Sequence, residues 1–180
     1  MSSKTLLTVE QFAQLPDEEG KRFELVEGEL IEVSSAALPH NIVKDRVIRL
    51  LGAFAETSGM GRTASETDVR IGQGSVRCPD VSYWSAARWS QIVLAEVPVP
   101  IPPDLAVEVI SPNDRTGDIS EKVKQYLASG VGEVWLIYPE EQLVLVRCDA
   151  GTRAAASGQT LETPLLPGFS LAVADLFTGF

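Results

Sequence analysis

The hydrophobic pattern is clearest over residues 105–138, where two apolar segments enclose an amphipathic one. Residues 105–110 form a short apolar run rich in β-branched side chains, which predicts a buried strand. Apolar positions then recur at helical spacing over residues 119–127, and Gly130 is a suitable helix stop. Residues 133–138 are again apolar. The pattern therefore predicts a strand–helix–strand unit whose two strands are covered on both faces.

The rest of the chain mixes strand and helix patterns. Thr8 and Gln11 have the spacing of a capping box, which predicts a short helix over residues 9–15. Residues 22–33 alternate about a Glu27-Gly28 turn in the manner of a hairpin. The remaining segments are expected to be a helix at 39–57, strands at 63–71 and 76–84, a helical turn at 85–89, a hairpin at 132–148, a Gly/Ala/Ser loop at 150–159, and an edge strand, a turn and a short helix over 160–177. Strands outnumber helices but both are needed, which indicates an α/β or α+β sheet flanked by helices.

Three nearly continuous apolar segments predict the order of the central strands. We expect residues 105–110 in the middle of the sheet, with 80–84 on one side and 133–138 on the other, because strands that are apolar on both faces belong inside a sheet. If strands 105–110 and 133–138 are parallel, the helix between them makes a right-handed crossover.

Length and composition are those of an ordinary globular protein. The 180 residues suit one domain over 1–180, and the chain is 44% hydrophobic and 22% charged. No apolar run approaches the ~20 residues of a membrane span, and the first residues lack the apolar core of a signal peptide, so we expect a cytoplasmic protein without a membrane partner. Cys78 and Cys148 lack metal-site spacing and are expected to be buried, reduced and apolar in character.

The formal charge of −10 argues against non-specific nucleic-acid binding by the whole surface. The charge is uneven, however: residues 44–77 balance at +2, whereas residues 1–43 balance at −5 and residues 96–141 at −6. A polyanion would have to approach through the first of these segments or with the help of bound cations.

Glu108 is an isolated acid inside a strand that should be buried, and such a group is usually paired or bound to a metal. On a helical wheel Lys122 lies at the edge of the apolar face of the next helix, whereas Lys124 points about 200° away into solvent. Asp80 opens the apolar segment 80–84 and can reach Glu108 if the two strands are neighbours. Two carboxylates and a lysine are what a magnesium-dependent phosphodiester hydrolase needs.

Each of these residues also has a structural interpretation. Asp80 could simply begin a strand, and Glu108 with Lys122 could form a structural ion pair. Tyr126 and Trp135 have the pattern of core residues rather than of site residues.

Two further polar residues have open assignments. On the first hairpin strand the side chain of Glu24 points to the opposite face from those of Phe23 and Leu25. It therefore faces either solvent or a site. His40, the only histidine, opens the long helix on its apolar side. A partly buried histidine bonded to a backbone carbonyl is favoured over a direct catalytic role.

Several short motifs occur in a specific order. They are Phe23-Glu-Leu-Val-Glu-Gly-Glu-Leu30, His40, Pro79-Asp80, Glu108-Val-Ile-Ser-Pro112, Asp118-x₃-Lys122-x₃-Tyr126, Gly130-Val-Gly-Glu-Val-Trp135 and Leu165-Leu-Pro-Gly-Phe169. Together they resemble the Uma-two-type branch of the PD-(D/E)XK nuclease superfamily over about residues 6 to 177.

The resemblance implies a restriction-endonuclease-like core with a mixed central sheet and a metal-dependent site. It implies that Asp80 and Glu108 are metal ligands, with the Val109 carbonyl as a third. The superfamily lysine that normally follows the acid by two residues is replaced here by Ile110, and Lys122 matches the helical lysine of this branch. Glu24 matches the N-terminal acid, Tyr126 a possible accessory residue, and His40 a motif histidine without an assigned role.

The function implied by the resemblance is that of an endonuclease that hydrolyses phosphodiester bonds of nucleic acid, with DNA as the expected substrate. Mg²⁺ would be its cofactor, with Mn²⁺ as a substitute, and a homodimer or higher homo-oligomer would be its assembly. The alternative is a non-catalytic binding or assembly module that retains the nuclease fold. The acidic charge favours this alternative, whereas the presence of Asp80, Glu108 and Lys122 favours the enzyme.

Overall fold

The computed structural model describes residues 6–16, 18–33 and 36–179. The helices within these ranges are α1 (Val9–Phe12), α2 (Leu38–Thr57), α3 (Ala86–Trp89), α4 (Thr116–Ala128) and α5 (Ala174–Phe177). The strands are β1 (Arg22–Val26), β2 (Glu29–Val33), β3 (Gly61–Ser65), β4 (Val69–Arg70), β5 (Val76–Arg77), β6 (Val81–Ser85), β7 (Leu105–Val109), β8 (Glu133–Tyr138), β9 (Leu143–Cys148), β10 (Gly151–Ala156), β11 (Thr160–Glu162) and β12 (Ser170–Ala172).

A large mixed sheet in the order β10-β9-β8-β7-β6-β3 is the frame of the molecule. Its central strand β7 pairs parallel with β8 and antiparallel with β6, so that Val107 lies between Trp135 and Val81. The predicted order of the three central strands is therefore confirmed. Helix α4 connects β7 to β8, as the apolar pattern of residues 105–138 predicted.

The two long helices contribute to different hydrophobic clusters. Val43 and Val47 of α2 pack in one cluster with Val107 of β7. Val123 of α4 packs in another cluster with Ala106. Because successive side chains of a strand point to opposite faces, Glu108 belongs to the Ala106 face, on the side of α4. The buried central strand thus presents its one acid to the helix that carries Lys122.

A second sheet, in the order β2-β1-β5-β4, explains why the prediction of two continuous strands over 63–71 and 76–84 is wrong. Both segments break, and β3 and β6 stay in the large sheet while β4 and β5 pair beside β1. Glu66 adopts a φ of 48°, which ends the first segment. Pro79 has no N–H for a sheet ladder and interrupts the second. The break places Asp80 at the junction of the two sheets.

Three smaller expectations differ from the structure. Helix α1 keeps its predicted capping box but ends at Phe12, after which Gln14 and Leu15 form tighter bonds to residues three positions back. Residues 151–156 form edge strand β10 rather than a loop, and only Ala155 in it is buried, so its strand pattern is weak. Strands β11 and β12 pair with each other instead of extending the large sheet.

Both cysteines are free and half-buried, rather than fully buried as expected. None of the described helices has the length and apolar character needed to cross a membrane.

Candidate active site

Glu108 is the centre of a polar cluster at the end of β7. Glu108 is 7% exposed. The Tyr126 hydroxyl donates a 2.6 Å hydrogen bond to Glu108 Oε1, and Lys122 Nζ lies 3.3 Å from Glu108 Oε2. Lys122 and Tyr126 lie one turn apart on α4, so a single helical face supplies both partners. The buried acid is therefore satisfied by two groups from one helix.

The predicted orientation of the two lysines, with Lys122 toward the sheet and Lys124 toward solvent, is confirmed. Lys122 has a side chain that is 22% exposed and lies 3.3 Å from both Glu108 and Glu24. Lys124 is 74% exposed, and its carboxylate neighbour, Glu121, lies 3.7 Å away on the same helix. Only Lys122 reaches the cluster at the end of β7.

Asp80 lies immediately before β6 and reaches the same strand end. The pairing of Val81 with Val107, continued by one residue, places Asp80 opposite Glu108. Asp80 Oδ2 accepts a 2.7 Å hydrogen bond from the Val109 N–H. The spacing of Pro79-Asp80 thus brings the two predicted carboxylates to adjacent strand positions.

Pro79 cannot donate a ladder hydrogen bond to the Val109 carbonyl. The same register places Val109 opposite Pro79, and the N–H and C=O groups of a strand residue point to the same side. The carbonyl of Val109 therefore faces the Pro79–Asp80 segment, where proline has no N–H to donate to it. The register therefore leaves the Val109 carbonyl without a ladder donor from Pro79.

His40, near the start of α2, contacts Asp80. Its Nε2 lies 2.9 Å from Asp80 Oδ1, so the favoured expectation of a backbone carbonyl partner is wrong. Burial disfavours the imidazolium, but the hydrogen bond and charge of Asp80 outweigh burial and raise the pKa of His40. Its other ring nitrogen, Nδ1, is buried and has no hydrogen-bond partner among the described residues. Helix α2 therefore holds one oxygen of Asp80 in place.

Glu24 faces the site rather than solvent. It is 2% exposed on β1, and its Oε2 accepts a 2.8 Å hydrogen bond from Arg77, while its Oε1 accepts one of 3.1 Å from the Cys78 N–H. Arg77 also donates to Gln125 Oε1 at 2.9 Å, which ties β5 to α4. Through its contact with Lys122, Glu24 joins the small sheet to the Glu108 cluster.

The carboxylates of the cluster perturb one another. Burial raises the pKa of Glu108 to about 7, and the charges of Asp80 and Glu24 act in the same direction, against the charge of Lys122. Burial also acts to raise the pKa of Glu24, but Lys122 and Arg77 outweigh burial and lower that pKa. Burial opposes the charged form of Lys122, but Glu108 and Glu24 outweigh it and raise the pKa of the ammonium group. The site is charged and partly desolvated, as catalytic clusters commonly are.

The donor set fits a hard divalent cation. Asp80 and Glu108 have carboxylate oxygens at adjacent strand positions, and the register turns the Val109 carbonyl toward the Pro79–Asp80 segment. Among the described residues, no group of three or more His, Cys, Asp or Glu is placed so that it could hold a metal ion. Magnesium needs no such group, because it usually binds one or two carboxylates and fills its other positions with water or substrate phosphate oxygens. The residues therefore fit magnesium better than a structural zinc ion.

Sequence reasoning identified the groups at the strand end but missed the residues that hold them. Arg77 and Gln125 were not predicted, although a buried Glu24 requires a cation, and Arg77 precedes the Pro79-Asp80 motif by two residues. Asp104 shares a strand face with Glu108 but lies outside the cluster, since it accepts from the Ser85 N–H and pairs with Arg88. Tyr126 is both a core residue and a site residue, because it is fully buried and donates to Glu108.

Comparison with known proteins agrees with this fold. No curated protein matches the chain. A crystal structure from Anabaena variabilis, described as that of "a putative nuclease belonging to DUF820", is similar with a TM-score of 0.81 at 23% identity, over 95% of this chain and 97% of that one. A family model named Uma2 and described as "Putative restriction endonuclease" matches residues 9–174. The chain belongs to this Uma2 family of restriction-endonuclease-like proteins.

Proposed function

We propose that this chain is a magnesium-dependent endonuclease that hydrolyses phosphodiester bonds of DNA. The observation that carries the proposal is the convergence of Asp80, Glu108 and Lys122 at one end of the large sheet, from the residue before β6, from β7 and from α4. Membership of a family described as "Putative restriction endonuclease" supports the nuclease role, and the carboxylate donors support the metal.

Asp80, Glu108 and the Val109 carbonyl would hold the ion. When bound, a divalent cation supplies Lewis-acid polarisation of the scissile phosphate and offsets the charge that develops on it. Lys122 lies next to Glu108, and its ammonium group would bind a phosphate oxygen or orient the attacking water. A preorganised cation in a partly desolvated site stabilises developing negative charge more strongly than it would in water.

The remaining residues of the cluster orient these groups. Tyr126 fixes one oxygen of Glu108, and His40 fixes one oxygen of Asp80. Arg77 neutralises and positions Glu24, which in turn contacts Lys122. Hydrogen-bonded neighbours of this kind restrict the rotamers of ligands and strengthen their hold on a metal.

A DNA cleavage assay tests the proposal. Wild-type protein should cut closed-circular DNA in Mg²⁺ and stop cutting in EDTA. Asp80→Asn and Glu108→Gln should each lose at least about 100-fold in rate, because each replaces a carboxylate that would bind the metal with a neutral amide. Glu121→Gln is the matched control, since it also removes one carboxylate charge but lies on the exposed side of α4 beside Lys124.

The result that would contradict the proposal is a wild-type protein that cuts neither DNA nor RNA and binds magnesium no better than Asp80→Asn. That outcome would instead identify a binding or assembly module that retains the nuclease fold.

A further inference from the structure

A second charged cluster, formed by Arg22, Lys44 and Glu66, lies next to the candidate active site. Arg22 precedes Glu24 by two residues on β1 and so shares its face of the strand. Lys44 follows His40 by one turn of α2. The Glu66 N–H donates to the Asp80 carbonyl at 3.3 Å. Three separate elements therefore bring this cluster to the edge of the site.

The two cations of the cluster converge on one carboxylate. Lys44 Nζ lies 2.7 Å from Glu66 Oε1, and Arg22 Nη2 lies 3.1 Å from Glu66 Oε2. Each oxygen of Glu66 thus has its own cation. The two non-bridging oxygens of a phosphodiester group can be bound by an arginine and a lysine in the same way.

Lys44 is buried rather than exposed at the surface. Its residue is 8% exposed, and Asn41 Oδ1 accepts a further 3.2 Å hydrogen bond from its ammonium group. A lysine so buried is costly unless a negative charge faces it. The Glu66 side chain is 35% exposed, so a solvent-borne anion can reach the place that its carboxylate occupies.

The backbone of Glu66 is held in an unusual conformation. Its φ of 48° lies in the left-handed region, which non-glycine residues rarely adopt. Such conformations persist where the surrounding structure imposes them, and they concentrate at functional positions. Here the conformation lies between β3 and β4, and it directs the carboxylate between the two cations.

Because the chain is strongly negative, its exposed cations are important for binding a polyanion. The chain carries −10, yet its proposed substrate is a polyanion. Arg77 has a side chain that is only 6% exposed and is fixed by Glu24 and Gln125, so it cannot meet a substrate. Arg22, in contrast, has a side chain that is 45% exposed.

We infer that Arg22 and Lys44 form a binding subsite for a backbone phosphate of DNA, and that Glu66 occupies this subsite with its carboxylate when no DNA is bound. The inference rests on the proposed function, because it assigns the subsite to the same substrate. DNA binding would then require the Glu66 side chain to rotate away and leave its two cations to a phosphate group.

The Glu66→Gln variant tests this inference through binding alone. Anisotropy of a fluorescent duplex DNA oligonucleotide, measured in EDTA so that no cleavage occurs, gives the affinity. Glu66→Gln should bind about 3- to 10-fold more tightly than wild type, because two cations are freed from an internal competitor.

Glu56→Gln is the matched control for the charge change. Glu56 also pairs with an arginine, Arg62, at 3.9 Å, but it lies 12 residues along α2 from Lys44, about 18 Å away at 1.5 Å per residue. Its substitution should change the affinity less than about 2-fold. Adding Arg22→Gln to Glu66→Gln should abolish the gain, since the two changes act on one subsite and are not additive.

Four results would overturn the inference. Equal changes in Glu66→Gln and Glu56→Gln would reduce the effect to net charge. Weaker binding by Glu66→Gln would make Glu66 a support for the cations rather than a competitor. No measurable binding by either wild type or Glu66→Gln would remove the subsite. If the protein cleaves DNA but Glu66→Gln does not bind DNA more tightly, only this inference is contradicted. If Glu66→Gln binds DNA more tightly but the protein never cleaves, only the proposed enzymatic activity is contradicted.

Discussion

At the scale of single residues, the site depends on which lysine of α4 faces the sheet. Lys122 lies 3.3 Å from two buried carboxylates, whereas Lys124 is 74% exposed. Both carry the same charge and lie two residues apart, so they contribute almost equally to the long-range field. They differ only in contact with the cluster, which makes them a matched pair.

We expect Lys122→Met to lose about 10²- to 10³-fold in cleavage rate, as is typical for the loss of one preorganised electrostatic donor. Lys124→Met should remain close to wild type. Magnesium affinity in Lys122→Met should not fall, and a rise is expected, since a cation has been removed from beside the ion. Steady-state cleavage rates and calorimetric magnesium titrations measure both effects.

Removal of Lys122 also leaves Glu24 and Glu108 with less compensating charge, so thermal unfolding must show that Lys122→Met is folded under the assay conditions. Equal loss of activity in the two lysine variants would contradict a specific role, and would leave only a diffuse positive field.

Residue patterns alone pointed to Glu108 and Lys122 because each breaks a rule. Glu108 is an acid in an apolar strand, and Lys122 is a cation at the edge of an apolar helical face. Arg77 broke no such rule in sequence, because it lies in a short β5 segment whose burial follows from the second sheet. Its partner Glu24 is 53 positions away, and no local pattern joins them.

At the scale of elements, the prediction succeeded where periodicity is long and uninterrupted. The unit of β7, α4 and β8 has the expected order, with parallel strands. It failed between residues 63 and 84, where the chain passes from the large sheet to the small one and back. The left-handed backbone of Glu66 and the missing N–H of Pro79 interrupt the two predicted strands. The alternation of hydrophobic residues gives no sign of either feature.

The pairing of β3 with β6 requires a glycine at position 61. A Cβ atom added there would meet the Trp84 carbonyl oxygen and would lie 2.8 Å from the Tyr83 ring and 3.0 Å from Ser85 Cα. Backbone atoms of a paired strand cannot move aside without loss of the pairing. Gly61→Ala should therefore destabilise the protein by roughly 2–3 kcal/mol.

Gly117 in α4 is the control, because a Cβ there meets nothing within 4 Å. Gly117→Ala should be neutral or stabilising by up to about 1 kcal/mol, since alanine has the higher helix propensity. Urea unfolding monitored by circular dichroism distinguishes the two variants. A Gly61→Ala protein as stable as wild type would show that β3 and β6 do not pack as described.

At the scale of the whole molecule, the two sheets are joined by continuous chain. Strand β2 leads through α2 to β3, β3 leads to β4, and β5 leads to β6, so the chain crosses between the two sheets three times. The ion pair of Lys122 with Glu24 and the hydrogen bond of Arg77 to Gln125 connect the small sheet to α4. We therefore propose that residues 1–180 form a single folding domain.

A single domain should unfold in one cooperative step. Fluorescence of the three tryptophans, of which Trp84 and Trp135 are buried at the large sheet and Trp89 packs beside Trp84, should change at the same urea concentration as far-UV circular dichroism, which reports on the whole chain. Separate midpoints for the two signals would indicate that the small sheet unfolds independently.

The central claim is that Asp80 and Glu108 share one divalent ion at the end of β7. A crystal of the protein soaked in manganese, with data collected at the manganese absorption edge, tests this claim directly. We expect one strong anomalous peak within coordination distance of an oxygen of each carboxylate and of the Val109 carbonyl. A peak that contacts only one of the two carboxylates, or no peak between them at saturating manganese, would contradict the account.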